Sequence, residues 1–326
     1  MLRHSLPMLV VFAACCWTPT AVRAQTNQQL TLIPWSQDWF GETNDRPLVQ
    51  FKSHVKDEDA HASVFWWDST GRFRFDKNDP APLAIGYRWL TMNFDTDSRQ
   101  VPDHLDEISL AAAFHLGDPQ SADIGIVLGA GYSSNNPFAD TNGIFGIGHI
   151  TCRRPLSERD ALIVSVDYNG NSSFLPDVPL PGLAYEHRDK PFSFAVGFPD
   201  SWIEWNITPD LAFDARYSVP FSAEATLEYH LTKNFSVLGG VANFFNGFAQ
   251  DDEPVNNRIF YQMSRVEAGI RFRNPSFWKG FYVDISLLGG YAFNQRFSHG
   301  FDVRDLDTFT SISDEPYIGL LIIGRL

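Results

Sequence analysis

The sequence predicts an all-β protein: an antiparallel up-and-down transmembrane β-barrel of about 12–14 strands. Three observations carry that reading. Apolar and polar residues alternate in short runs, the connections between runs alternate short and long, and a secretory leader precedes a chain with no long apolar helix. From Arg265 to Arg273, Val266, Ala268, Ile270 and Phe272 fall on one face, and Arg265, Glu267, Arg271 and Arg273 fall on the other. Successive side chains of an extended strand point to opposite sides of the sheet. The charged face is too ionic for a dry core and the apolar face has no wet side. A barrel with lipid outside and a polar interior satisfies both. A soluble sandwich with its charges outward is the alternative.

Residues 1–24 read as a signal peptide. Arg3 gives the positive end, Leu6 to Cys16 the short apolar core, and Val22-Arg23-Ala24 the cleavage site. Phe12-Ala13-Ala14-Cys15 offers lipoprotein processing as a second route. No later stretch reaches the roughly 18 apolar residues of a membrane helix. A spanning chain of this kind must therefore close into a barrel, which satisfies every backbone group.

Residues 25–48 are polar and without period, and read as a flexible N-terminal segment. The barrel is expected over 49–326. Val64 to Trp67 and Phe73 to Phe75 suggest two strands, which would add to the count made from residue 83. Ile85, Tyr87 and Trp89 alternate with Gly86, Arg88 and Leu90; Ile108 to Leu116, Ile124 to Tyr132 and Leu162 to Tyr168 repeat the pattern. Ala223, Ala225, Leu227 and Tyr229 oppose Glu224, Thr226, Glu228 and His230, and Val283, Ile285 and Leu287 oppose Asp284 and Ser286. Between 181 and 207 the pattern allows either three short strands or a last strand kinked at Pro199, which cannot donate to a ladder. Tyr317 to Leu326 forms a closing apolar strand that ends on Leu rather than on an aromatic residue.

Tight links at 117–122, 153–159, 231–234 and 274–280 alternate with long ones at 95–104, 133–142, 169–181, 246–257 and 294–315. Short turns on one side and long loops on the other are the habit of outer-membrane barrels.

The formal net charge is −14; removing Arg3 and Arg23 with the leader leaves 23 basic and 39 acidic residues, a net of −16. That balance speaks against nucleic acid as a partner. The expected partners are membrane lipid, the outer-membrane assembly machinery and small solutes. After the leader only Cys152 remains, so there is no disulfide framework.

The segments Leu180-Pro181-Gly182-Leu183-Ala184-Tyr185, Val196-Gly197-Phe198-Pro199, Trp205-Asn206-Ile207-Thr208-Pro209 and Val101-Pro102-Asp103-His104-Leu105 resemble an uncharacterised family of planctomycetal outer-membrane β-barrel proteins. The resemblance covers about residues 60–326. It implies the barrel fold and an outer-membrane location, and no activity.

Charges on the inferred inner faces form the candidate site: Glu204, Asp214, Arg216, Glu224, Glu228, Arg265, Glu267, Arg271 and Asp284. They suit a polar lumen that passes small solutes, or equally a salt-bridged plug that fills a barrel. No cofactor is expected. No His lies at metal-ligand spacing from another His or from Cys. The acidic clusters Asp76 to Asp79, Asp95 to Asp97 and Asp251 to Glu253 lack the glycine and closing glutamate of a calcium loop. Ser109 and His115 lie about 20 Å apart along one strand, whereas Ser165 and His149 come from neighbouring strands. The main expectation is a passive channel or a structural envelope barrel. A lipid-modifying barrel enzyme and a secreted, glycan-binding β-sandwich are the alternatives.

Overall fold

In the computed structural model, the described residues are 40–326 except 57, 77–82, 119–121, 140, 219–221, 252 and 279. The expected leader, Cys15, residues 25–39, most of the cluster at 76–79 and Asp252 lie outside them. Among the described residues there are strands and no helix, and so none long and apolar enough to cross a membrane.

Seventeen strands run in order: β1 (Gly41–Val55), β2 (Ala60–Arg74), β3 (Ala84–Thr96), β4 (His104–Asp118), β5 (Ala122–Ser134), β6 (Ile144–Pro155), β7 (Asp160–Asn169), β8 (Leu180–Asp189), β9 (Phe192–Phe198), β10 (Asp200–Thr208), β11 (Leu211–Ser218), β12 (Ser222–His230), β13 (Phe235–Phe248), β14 (Arg258–Trp278), β15 (Phe281–Gly300), β16 (Asp307–Ile312) and β17 (Glu315–Arg325). Each pairs antiparallel with its neighbour, and β1 pairs with both β2 and β17, which closes the ring. The upper part of β15 pairs with β16 and the lower part with β17, so these two form one interrupted stave of a 16-strand barrel.

Two expectations are corrected. The count of about 12–14 strands is too low for the whole barrel, because β1 and β2 add to it. The barrel starts at Gly41 rather than 49, because β1 is a full strand whose inner face carries Glu42, Asn44, Arg46 and Gln50. Of the two patterns allowed over 181–207, the three-strand one is present, with Pro199 at the turn between β9 and β10. One closed sheet also replaces the two packed layers of a sandwich.

The rim bearing Gly41 and Arg325 has short connections apart from 75–83; the opposite, loop rim carries 97–103, 135–143, 170–179, 249–257 and 301–306. The expected beat is therefore present from β3 onward, though β1–β2 and β2–β3 reverse it. It also fails at β9–β10 and β11–β12, where loop-rim links are short and the staves span only seven to nine residues, against 21 for β14.

Outside, Leu110, Leu128, Ile150, Val164, Leu183, Val196, Leu227, Ile270, Leu287 and Ile318 are exposed around the wall. Aromatics flank this band. Phe51 and Phe65 lie toward the loop rim, and Trp67 stacks on Trp89 at 5.5 Å near the middle of β2 and β3. Phe73, Tyr229, Phe235 and Phe272 lie toward the terminal rim. A soluble monomer rarely exposes a contiguous apolar patch beyond a few hundred Å². A continuous apolar belt between aromatic levels matches the lipid-facing surface of a membrane barrel.

Inside, the loop-rim half under β1–β4 and β13–β17 is packed with apolar side chains. Trp66 of β2 meets Phe244 of β13 edge-on at 4.3 Å, and Tyr261, Phe94 and Phe297 continue the cluster. Each such side chain gains about 1.5–3 kcal/mol from burial. At the loop rim the wall also touches itself: Ser134, at the end of β5, bridges Ala249, just beyond β13. Ser133 Oγ donates to Gly247 O at 3.0 Å.

Candidate functional site

The register fixes which side chains face the lumen. Glu204 pairs with Asp214, Asp214 with Thr226, Thr226 with Gly240, and Gly240 with buried Glu267. Arg216 pairs with Glu224, Glu224 with Ala242, and Ala242 with buried Arg265. Glu228, Arg271 and Asp284 belong to the same face. All nine candidate residues thus point inward, because each strand keeps strict period two through this part of the wall.

The structure sorts them into three environments. Glu224, Arg265 and Glu267 join a mid-barrel cluster around Arg46. Arg46 donates to Glu267 Oε1 at 3.2 Å and Glu224 Oε1 at 3.3 Å, Arg265 lies 3.5 Å from Glu267, and Tyr317 donates to Glu267 Oε2 at 2.7 Å. Nearer the terminal rim, Glu228 accepts from Arg271 and Arg273, both at 2.6 Å, and Asp284 accepts from Arg325 at 2.9 Å. Glu204, Asp214 and Arg216 stand apart. They face inward yet are exposed, and none has an ion pair or hydrogen bond among the described residues. They line a water-accessible side of the lumen along β10 and β11.

Several interior charges escape the sequence argument. Arg88 lies 3.6 Å from Asp68 and 3.2 Å from Glu107. Glu107 Oε2 also accepts from Asn246 at 2.7 Å and from Asn171 at 3.2 Å. Arg258 donates to Asn171 Oδ1, Asn171 O, Ser172 O and Phe301 O. Arg46, Arg88, Glu107 and Arg258 are each about nineteen-twentieths buried or more. Arg88 was legible, since it alternates with Tyr87 and Trp89. Asn171 was not, because a loop residue carries no face. Buried ions persist only when paired or hydrogen-bonded. Arg46 and Arg265 are paired with Glu224 and Glu267, Arg88 is paired with Asp68 and Glu107, and Arg258 is held by neutral acceptors instead.

The enzyme alternative depends on Ser and His meeting. His149 Nδ1 lies 2.9 Å from Asp167 Oδ1, both buried inside the barrel, and His149 Nε2 has no partner. Ser165 Oγ is turned toward β8, where a Cβ on Gly182 would come within 2.1 Å of it. Ser165 and His149 therefore do not form a nucleophile–base pair, and both face away from the outer apolar surface. No group of three or more His, Cys, Asp and Glu suited to a metal ion occurs among the described residues.

No family model matches the chain, and no curated protein matches it. Among solved structures it is similar to the TodX deltaS2S3 mutant monoaromatic hydrocarbon channel, at 11% identity over 94% of this chain and 96% of that one, TM-score 0.44. It is similar to the CymD monoaromatic hydrocarbon channel at 9% identity over 94% of each chain, TM-score 0.34. OmpT, an outer membrane protein of Vibrio cholerae, aligns at 8% identity over 90% of this chain and 99% of that one, TM-score 0.31.

Proposed function

We propose that this chain is an outer-membrane β-barrel that passes small polar solutes through the wet side of its lumen. The observation that carries the reading is the trio Glu204, Asp214 and Arg216: inward, exposed and unpaired. Charges kept for stability alone are paired, as those around Arg46 are. Glu204 and Asp214 are directly opposed across neighbouring strands. Such like-charge pairs destabilise a sheet, so a lumen that draws ions supplies a reason for them. The apolar outer belt and the leader expected from the sequence of residues 1–24 support the outer-membrane location. Insertion by the outer-membrane assembly machinery belongs to the same proposal.

The aromatic cluster and the Ser134–Ala249 contact favour a second reading, a structural envelope barrel that conducts nothing. Planar-bilayer recording separates the two. Folded protein should give discrete current steps, altered by Glu204→Gln/Asp214→Asn. Silent bilayers with heat-modifiable, folded protein would leave the structural reading.

A further inference from the structure

Two buried ions near the loop rim face each other without touching. Glu107 projects from β4 and Arg258 from β14, and Asn171, from the 170–179 connection, sits between them. Its Nδ2 donates to Glu107 Oε2 at 3.2 Å. Its Oδ1 and main-chain O both accept from Arg258 Nη2, at 2.5 and 3.1 Å. Asn246 also donates to Glu107 Oε2 at 2.7 Å, Arg88 holds the other oxygen, Oε1, at 3.2 Å, and the Phe260 ring lies 4.9 Å from the Arg258 guanidinium carbon. No carboxylate among the described residues forms an ion pair with Arg258, which is 5% exposed.

The fixed walls of this cleft come from strands, and its occupant comes from a loop. A buried carboxylate and a buried guanidinium would gain from direct pairing. Instead a neutral group holds them apart, presenting a donor to the acid and two acceptors to the base. A free α-amino acid offers the same pattern with full charges. Its ammonium would replace Asn171 Nδ2 against Glu107, and a carboxylate oxygen would replace Asn171 Oδ1 on Arg258 Nη2, with the main-chain O of residue 171 staying in place. Both contacts then become charge-assisted, which roughly doubles the strength of a hydrogen bond.

We infer that the cleft between Glu107 and Arg258 is a recognition site for zwitterionic α-amino acids, occupied in this structure by Asn171 as an internal stand-in. The inference extends the channel reading by naming a solute class, and its test does not depend on conduction. Asn171→Gly removes the carboxamide and leaves Glu107, Asn246 and Arg258 in place. Titration calorimetry of the detergent-folded barrel should show L-alanine binding to Asn171→Gly at least tenfold more tightly than to the unaltered chain. Adding Glu107→Gln or Arg258→Gln to Asn171→Gly should remove that gain. Propionate and ethylamine, which carry one charge each, should bind at least tenfold more weakly than L-alanine. Heat-modifiable migration confirms folding, and Asn171→Ser serves with the same expectations if the glycine variant does not fold. Folded Asn171→Gly that gives no heat with L-alanine, or binds propionate equally well, overturns the inference. Silent bilayers alongside a positive titration would overturn only the channel reading.

Discussion

Arg46 of β1 binds Glu224 of β12 at 3.3 Å across the lumen rather than along the wall. The path between them along the sheet runs through β17, β15, β14 and β13. One guanidinium therefore ties together parts of the barrel that the ladder links only at a distance, and Glu267 lies within the same reach.

Arg46→Ala should cost about 3–5 kcal/mol, because it leaves half-buried Glu224 without its cation and buried Glu267 with Arg265 alone. Arg46→Met/Glu267→Leu should recover most of that loss. Urea unfolding of the detergent-folded barrel, followed by heat-modifiable migration, reads both. An unchanged midpoint for Arg46→Ala would show that the crossing pair holds nothing together.

Glu204→Gln/Asp214→Asn should behave in the opposite way. Both carboxylates are exposed, so the unfolding midpoint should move by no more than about 0.5 kcal/mol. Removing the like-charge opposition sets the direction as slightly stabilising. The reversal potential in a potassium chloride gradient should shift toward lower cation preference. A large stability loss with no shift in reversal potential would assign these residues to the scaffold.

Ile270→Arg tests the outer belt. Ile270 is 55% exposed and lies between Gly269 and Arg271, whose side of the strand is interior. Arginine at the bilayer midplane costs a transmembrane barrel about 2–4 kcal/mol. Folding into phosphatidylcholine bilayers from denaturant should show a loss of that size. The same change in a water-facing surface would cost almost nothing.

Asp302 gives the loop rim an acid dependence. Partial burial raises its pKa. Hydrogen bonds from the Arg304 side chain and main chain, and from Leu175 N–H, outweigh that effect and hold the carboxyl below its ordinary value. A carboxylate depressed in the folded state stabilises above its unfolded pKa, about 4. That contribution is lost as pH falls through the folded value. Protection of the Leu175 amide, taken relative to its intrinsic exchange rate, should hold from neutral pH to about 5 and fall below about 4. Asp302→Asn should remove the step; a step that survives would have another origin.

Gly247 shows a packing limit at the same rim. A Cβ there would lie 2.4 Å from Arg258 Nη2 and 2.6 Å from the Phe260 ring. Gly247→Ala should therefore displace Arg258 from Asn171 and loosen the 170–179 loop. Increased proteolysis at that loop in the folded barrel is the readout; unchanged cleavage would mean the guanidinium moves aside without cost.

Period two made most of the wall legible. Val266 to Phe272 against Arg265 to Arg273 assigned both faces of β14 correctly, because lipid and lumen impose opposite demands on alternate residues. β1 escaped because Thr43, Asp45 and Pro47 interrupt its outer face, so polarity alone read as a tail. The pairing of inner charges was hidden for a different reason. Arg46 and Glu224 meet through the closure of the ring, and no local pattern encodes who stands across a lumen. Asn171 acts from a connection, where side-chain direction has no period at all.

The seam between β1 and β17 sets the order of events in folding. Glu42 registers with Arg325, so the first described strand waits for the last before either edge is covered. Every intermediate short of that pairing carries two open β edges, each able to template a foreign strand. Closure is also the contact of greatest sequence separation in the wall, and such contacts form slowly. Two strand edges therefore stay open for as long as that seam is unpaired, and the seam's ladder removes both at once.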